Sequence, residues 1–375
     1  MAKRIGIATV GGDCPGTNPT IRAIGKTLQS LGGYELIGFQ DGFLGLATND
    51  TIPLGGDALS GILTTGGTIL GTSRDRPESV HLDNQVVDAT ETIQKNIKQN
   101  RLDALVILGG KEAQESAYQL SQRGVRVLTM PLTIDNDIVE TDATIGYYSA
   151  TSVAAEAIDR LHSTAYSHHR IIIVEVMGRE TGWLTLAAGL AGGADVILIP
   201  EIAYDEEAVA GAILNRLKEG KRFSIVAVSE GAISQDNRRF FEHAREINRK
   251  LRKGKDEEQV TRRLEALEEQ AAGNTMHLAH QLHRFTGLET RVTILGYLQR
   301  GGVPSAADRV MATQMGTACA VMVHKGVTGC MVAMQNQAIV PVPLEQVAGN
   351  VKRIPLDHSL LSSARHVGTS LGEQP

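Results

Sequence analysis

The chain has 375 residues, enough for two lobes with buried cores, and its 42% hydrophobic and 21% charged content excludes a disordered or fibrous protein. A formal net charge of −5 excludes the broadly basic surface of a nucleic-acid binder, while leaving room for a local cationic pocket and a small anionic substrate. No apolar run approaches the roughly 20 residues that cross a bilayer, so no membrane association is expected.

A short β-branched run that ends in glycine and leads into helical periodicity recurs along the chain. The N-terminus enters the first such run, Ile5–Val10, without the apolar stretch of a signal peptide. Gly11-Gly12 follows, then a predicted helix from Pro19 to Leu31. Leu105–Leu108 leads to Gly109-Gly110 and a helix over Ala113–Gln122. A strand beginning near Val125 ends around Pro131. Ile171–Val176 leads to Met177-Gly178-Arg179 and a helix over Thr185–Leu190. Ser224–Val228 leads to Ser229-Glu230-Gly231, and Val292–Leu295 to Gly296. Strands apolar on both faces and alternating with helices predict the doubly wound α/β class, with parallel sheets covered by helices. Ligands in that class bind beyond the carboxyl ends of strands, where these glycines fall.

One stretch breaks the rhythm. A charged helical insertion is predicted over 235–272, with Phe241, Ala244, Ile247 and Leu251 on one helical face and Val260, Leu264, Leu267 and Ala271 on another. Gly254 separates the two sets, and the charged faces are expected in water. His277, His280 and His283 also share helical spacing and read as an exposed face without a carboxylate partner. Gly368–Pro375 reads as a frayed tail. Cys14, Cys319 and Cys330 lack metal spacing and are odd in number, which predicts a reduced, cytoplasmic protein.

Chemistry-bearing residues cluster at the glycine turns. Gly11-Gly12-Asp13-Cys14-Pro15-Gly16 joins the first strand to the first helix, where backbone N–H groups and the helix N-terminus attract phosphate. Gly66-Gly67-Thr68-Ile69-Leu70-Gly71-Thr72-Ser73-Arg74 is a second glycine-rich segment, ending in a cation and followed by Asp75. Thr133-Ile134-Asp135-Asn136-Asp137 places a carboxylate pair in one turn, able to orient a hydroxyl, accept its proton and hold a metal. Arg170, Arg179, Arg291 and Arg300 flank buried strands, as guanidinium groups that bind a phosphorylated ligand would. Glu230 could accept hydrogen bonds from sugar hydroxyls.

With these motifs in order, the sequence resembles the 6-phosphofructokinase family over about residues 3–350. The resemblance rests on Gly-Gly-Asp-x-Pro-Gly at 11–16, the segment at 66–74, Thr-Ile-Asp-Asn-Asp at 133–137, Val-Glu-Val-Met-Gly-Arg at 174–179, Glu-Gly at 230–231 and Gly-Tyr-Leu-Gln-Arg-Gly-Gly at 296–302. It implies two doubly wound, Rossmann-like domains with the active site in the cleft between them. A donor-binding domain would span 1–146 plus 300–350, a sugar-phosphate domain 147–299, and a C-terminal extension 351–375. The implied activity is transfer of the γ-phosphate of ATP, with Mg²⁺, to the 1-hydroxyl of fructose 6-phosphate. Asp135 would be the general base, with Thr133, Asp137 and Arg179 completing the catalytic set and Asp137 helping to hold the metal. Met177, Gly178, Glu230, Tyr297 and Arg300 would bind the sugar phosphate, joined by Arg170 and Arg291 from a neighbouring subunit. The donor would lie on Gly11, Gly12, Arg74, Asp75, Gly110, Lys111, Glu112 and Ala113. Sites shared between subunits imply a homo-oligomer, a dimer at the least and in the family usually a tetramer.

Four departures qualify that expectation. Lys111 replaces an aspartate expected to bind magnesium, and Glu112 replaces a glycine that leaves room for ATP. Leu132 stands where pyrophosphate enzymes carry lysine. Tyr297 replaces the usual histidine of the sugar-phosphate pocket. At the family's effector site Arg22, Lys26 and Lys221 keep positive charge and Asp195 an acidic one, but His162 and Glu219 stand where basic residues are expected. The alternatives are a pyrophosphate-dependent enzyme and a sugar-phosphate-binding regulatory paralogue that has lost its donor site.

Overall fold

Residues 2–251, 255–271 and 275–374 are described by the computed structural model. The strands in chain order are β1 (Lys3–Val10), β2 (Tyr34–Phe39), β3 (Thr51–Pro53), β4 (Val80–Leu82), β5 (Gln85–Val87), β6 (Leu102–Gly109) and β7 (Val127–Thr133). They continue with β8 (Ile145–Gly146), β9 (Ile171–Val176), β10 (Val196–Leu198), β11 (Ser224–Ser229), β12 (Thr290–Ile294), β13 (Cys330–Gln335) and β14 (Ala338–Pro343). The chain divides into two units, Met1–Ala150 with Arg300–Lys352, and Thr151–Gln299 with Arg353–Pro375.

The first unit carries a sheet in the order β14-β13-β7-β6-β1-β2-β3, with β8 added beside β7. Its centre is parallel and its margins are antiparallel pairs, β2 with β3 and β13 with β14. Every residue of β7, and the last six of β1 and of β6, is buried, as expected for strands covered by helices on both faces. Pro131 sits inside this central strand although proline cannot donate to a ladder. It falls where the pairing of β7 with β13 through Leu128 and Thr129 has ended and the pairing with β8 through Leu132 and Thr133 has not begun. The core joins Phe39, Phe43, Ile93, Leu105, Ile107 and Met331, among others.

The second unit has a four-stranded, fully parallel sheet in the order β10-β11-β9-β12. Ile171, Ile173, Val226 and Val228 pack there with Leu278 and Leu282 of the Thr275–Thr286 helix. Both units therefore show the parallel α/β architecture that the apolar runs predict.

Several local expectations need correction. The first helix starts at Thr17, not Pro19, so the proline lies in the first turn, where its missing N–H has no intrahelical partner to lose. The second starts at Lys111, not Ala113, with Gly110 as its N-cap. Lys111 and Glu112 are thus first-turn helix residues; both have high helix propensity, and Glu112 also suits the positive end of the helix dipole. The segment 368–374 is not frayed. Ser370 donates to Asp195 O at 3.0 Å and accepts from Ile197 N at 2.9 Å, Gly372 O accepts from Asp205 N at 2.8 Å, and Leu371 is 3% exposed. A single buried leucine anchors a segment whose glycines suggest a loose tail.

The charged insertion forms two helices, Gln235–Leu251 and Lys255–Ala271; Gly254 lies outside the described residues. Phe241 is buried, but Ile247 and Leu267 remain half-exposed, so the apolar faces are only partly covered. His277 has a carboxylate neighbour after all, with Glu206 Oε1 at 3.5 Å from its Nε2. That partner comes from a helix some seventy residues away in sequence, invisible to helical spacing. Among the described residues no helix is long and apolar enough to cross a membrane.

Candidate active site

In the first unit the functional turns begin side by side because the strands that carry them are in register. Val10 pairs with Gly109, and Gly109 with Pro131. The turns at 11–13, 110–113 and 133–137 therefore leave neighbouring strands at the same edge, the ligand-binding edge of such a sheet. The second glycine segment is drawn to the first. Gly11 N donates to Ser73 O at 2.9 Å, and Thr72 Oγ1 donates back to Gly11 O at 2.9 Å. Asn18 holds the same segment from the helix, accepting from Ile69 N at 2.8 Å. Arg74 is exposed at its end. Asp75 is buried and turned toward His81, accepting from its backbone N at 3.1 Å and pairing with its ring Nδ1 at 2.7 Å.

Gly12 lets a guanidinium approach the turn closely. A β-carbon there would lie 2.2 Å from Arg300 Nη1, the same nitrogen that donates to Asp13 O at 3.2 Å. Arg300 thus stands on the Gly11–Asp13 turn of the first unit, whereas the other residues expected to bind sugar phosphate lie in the second.

The turn after β7 is built around Asn136, a non-glycine residue at φ +52°. Its Oδ1 accepts from Thr144 N at 3.1 Å, and Thr144 Oγ1 donates to Thr133 O at 2.6 Å. Thr133 Oγ1 accepts from Asp135 N at 3.2 Å. Asp137 is 6% exposed, and among the described residues its Oδ1 has no hydrogen-bond partner. Burial pushes its carboxyl up to about 7, the negative charges of Asp135 and Glu112 add to the rise, and Lys111 opposes it. Lys111 and Glu112 therefore act electrostatically on Asp137 from the first turn of the Lys111–Gln122 helix. Lys352, from the far end of this unit, donates from Nζ to Thr141 O at 2.8 Å and Asp142 O at 2.7 Å. Burial lowers its ammonium to about 8 despite the nearby carboxylates of Asp142 and Asp137.

A buried carboxylate oxygen without a partner, beside a second carboxylate, has the chemistry to receive a hard dication. Among the described residues no three acidic, histidine or cysteine side chains gather into a cage. The fit is therefore to Mg²⁺ that takes one or two protein carboxylates and fills its remaining positions with phosphate oxygens and water.

In the second unit the turns after β9 and β11 interlock. Gly178, at φ +143°, donates from N to Glu230 Oε1 at 3.4 Å, and its carbonyl accepts from Gly231 N at 3.1 Å and Ser229 Oγ at 2.5 Å. A β-carbon on Gly178 would lie 2.7 Å from both Ser229 Oγ and Thr181 O, so only glycine fits. Met177 N donates to Gln299 Oε1 at 3.3 Å, and Arg179 is exposed at the tip. The structure thus brings Met177, Gly178, Arg179 and Glu230 together. Arg170 and Arg291 are joined by a residue the sequence did not single out. Glu289 accepts from Arg170 Nε at 2.5 Å and forms an ion pair with Arg291 through its other oxygen. Tyr297 is 76% exposed.

Of the residues expected at an effector site, Asp195 is committed inside the second unit. It pairs with Arg216 at 2.6 Å and accepts from Ile225 N at 2.9 Å. His162 Nε2 lies 2.7 Å from Gly192 O, and Lys221 lies 3.6 Å from Glu219.

Parallel sheets with glycine turns at adjacent strand ends, and a carboxylate pair among them of which Asp137 is buried, define an α/β protein equipped to handle an anionic, phosphorylated ligand. The family model described as phosphofructokinase matches residues 4–323. The chain is 50% identical to an ATP-dependent 6-phosphofructokinase of Propionibacterium freudenreichii subsp. shermanii, with all of both chains covered. It is 44% identical to an ATP-dependent 6-phosphofructokinase of Spirochaeta thermophila, covering 99% of this chain and 98% of that one. Among solved structures it is similar to the phosphofructokinase of Pichia pastoris in the T-state, with a TM-score of 0.76 and 28% identity. That match covers 98% of this chain, which spans 37% of the yeast chain's length. This chain belongs to the phosphofructokinase family.

Proposed function

We propose that the protein is an ATP-dependent 6-phosphofructokinase, transferring the γ-phosphate of ATP to the 1-hydroxyl of fructose 6-phosphate to give fructose 1,6-bisphosphate, a step of glycolysis. The observation that carries this reading is the carboxylate pair at the end of β7, buried Asp137 with partly exposed Asp135, beside the glycine turns that end β1 and β6. Relatives up to 50% identical over the whole chain, each named ATP-dependent, support ATP as the donor.

In this proposal Asp135 accepts the proton of the attacking hydroxyl, a role worth about 10²–10⁴ in rate, and Thr133 orders the turn from which it does so. Asp137 Oδ1 would hold Mg²⁺ together with the donor phosphates; when bound, the metal neutralises phosphate charge. Arg179 stabilises the transferring group, with Met177, Gly178, Glu230 and Tyr297 binding the sugar. Arg300 binds the 6-phosphate, as do Arg170 and Arg291 across a subunit boundary, which makes the working unit a homo-oligomer, a tetramer in the family's usual form. Gly11, Gly12, Arg74, Asp75, Gly110, Lys111, Glu112 and Ala113 line the donor's place, in a donor-binding part spanning 1–146 and 300–350. Lys111 meets phosphate oxygens as a point charge, since an ammonium cannot ligate a metal. A cytoplasmic location fits three buried free cysteines. The commitments of Asp195, His162 and Lys221 favour a weakened response to the family's usual effectors.

The test is to supply fructose 6-phosphate and Mg²⁺ with either ATP or pyrophosphate and measure fructose 1,6-bisphosphate. Product with ATP alone is expected. Leu132, 2% exposed in the apolar interior where a pyrophosphate enzyme would present a lysine, supports that outcome. Product with pyrophosphate alone would transfer the reading to that donor, and sugar-phosphate binding without product would make the protein a regulatory relative.

A further inference from the structure

We infer that Lys352 is a positioning residue for the transfer: it fixes the turn that carries Asp135 and Asp137. This rests on the proposed function and adds a residue that lies outside every motif. Lys352 touches the turn at four places. Its backbone N donates to Asp137 O at 2.8 Å. Its Nζ donates to Thr141 O at 2.8 Å and to Asp142 O at 2.7 Å, and reaches Asn136 Oδ1 at 3.4 Å. An ammonium has three N–H donors, and three acceptors surround this one. These are two backbone carbonyls and a side-chain amide, so the contacts clamp the conformation of the turn.

The turn needs such a clamp. Asn136 and Glu140 both hold positive φ, at +52° and +61°, a conformation that L side chains disfavour and that persists where surroundings fix it. Among the described residues nothing hydrogen-bonds Asp137 Oδ1, so the direction of its carboxylate follows from where its backbone is held. Lys352 holds that backbone at the Asp137 carbonyl itself and again four and five residues on. Displacing a reacting group by about 1 Å costs on the order of 10² in rate. Loss of the clamp should therefore appear in turnover, while the glycine turns that meet the donor, anchored by Ser73, Thr72 and Asn18, stay in place.

The experiment compares wild type, Lys352→Met and Lys352→Arg for steady-state kinetics with ATP and fructose 6-phosphate, and for backbone hydrogen exchange. In Lys352→Met, kcat should fall about 10- to 100-fold with both KM values within about threefold. Amides over 136–144 should exchange faster while those of β1 and β6 keep their protection. Lys352→Arg retains the charge but spreads its donors over a planar fork. It should fold and fall between the two, with the same split between kcat and KM. A kcat within twofold of wild type, a matching change in KM, or faster exchange spread over the whole unit would overturn the inference; should Lys352→Met not fold, Lys352→Arg is judged by the same criteria. Wild-type protein inactive with ATP would overturn the proposed function instead, leaving local exchange over 136–144 to decide whether Lys352 holds the turn.

Discussion

Asp137→Asn should stabilise the ligand-free protein at alkaline pH while abolishing most of its activity. Asp137 is 6% exposed, and burial, reinforced by Asp135, pushes its carboxyl from the ordinary 3.8 to about 7. The folded pKa lies above the unfolded one, so the folded state holds this proton more tightly. The resulting stability is fully present below about pH 4 and is lost as pH rises through about 7. At about pH 8.5 the folded chain carries a buried carboxylate whose strain unfolding relieves. The displacement from 3.8 to about 7 sets a ceiling of about 4 kcal/mol at 1.36 kcal/mol per pH unit. Relaxation and water entry reduce it to about 1–2 kcal/mol. Asparagine has the same shape and never ionises, so it escapes the effect. With about 2–4 °C per kcal/mol for a unit of this size, the variant should gain about 2–8 °C over wild type between about pH 5 and about pH 8.5. Thermal melts in EDTA across that range test it. A difference in Tm that stays constant, or that narrows as pH rises, refutes the account of a buried, proton-holding carboxylate.

Asp135→Ser should lower kcat by about 10²–10⁴ and leave fructose 6-phosphate affinity, measured by calorimetry, within a few-fold; unchanged turnover would remove Asp135 from the role of base. Lys111→Met removes the cation that opposes the rise of Asp137 and the point charge offered to donor phosphate. It should raise the KM for ATP about tenfold, worth about 1.4 kcal/mol, with little change for the sugar, and an improved KM would show that this lysine obstructs the donor. Asp308→Ala deletes the acceptor of Gly146 N at 2.9 Å, Ser149 N at 2.7 Å and Ser149 Oγ at 2.6 Å. Leaving those buried donors unpaired should cost about 3 kcal/mol or more in urea denaturation, and a cost below about 1 kcal/mol would mean that the neighbourhood repacks or takes up water.

The Lys111–Gln122 helix shows how a small boundary shift changes a functional reading. Lys111 and Glu112 look like replacements within a loop when read along the chain. In the structure they are the first helical turn, and their charges act on Asp137 from a fixed scaffold rather than from a pliable segment. A basic residue at a helix N-terminus is unfavourable in isolation. Here the carboxylates of the neighbouring turn provide the compensating charge, a relation that exists only after β6 and β7 are paired.

The sequence by itself determined the central strands β1, β6, β7, β9, β11 and β12, their parallel class and the order of the turns, because apolar runs, β-branching and glycine are local properties that a single segment records. It also identified Thr133, Asp135, Asp137 and the glycine segments, since each motif is contiguous. What the tertiary structure decided is long-range. The register Val10–Gly109–Pro131 brings three turns to one edge. Glu289 joins two arginines, and Arg300 lies on Gly12 from nearly three hundred residues away. Lys352 gave no signal, being one lysine beyond the last motif, and its role comes from carbonyls more than two hundred residues earlier. The tail misled for the same reason, as the backbone partners of Ser370 and Gly372, at Asp195, Ile197 and Asp205, lie far earlier in the chain. Local chemistry is written in the residue types; the partners that fix a side chain's position are chosen by the fold.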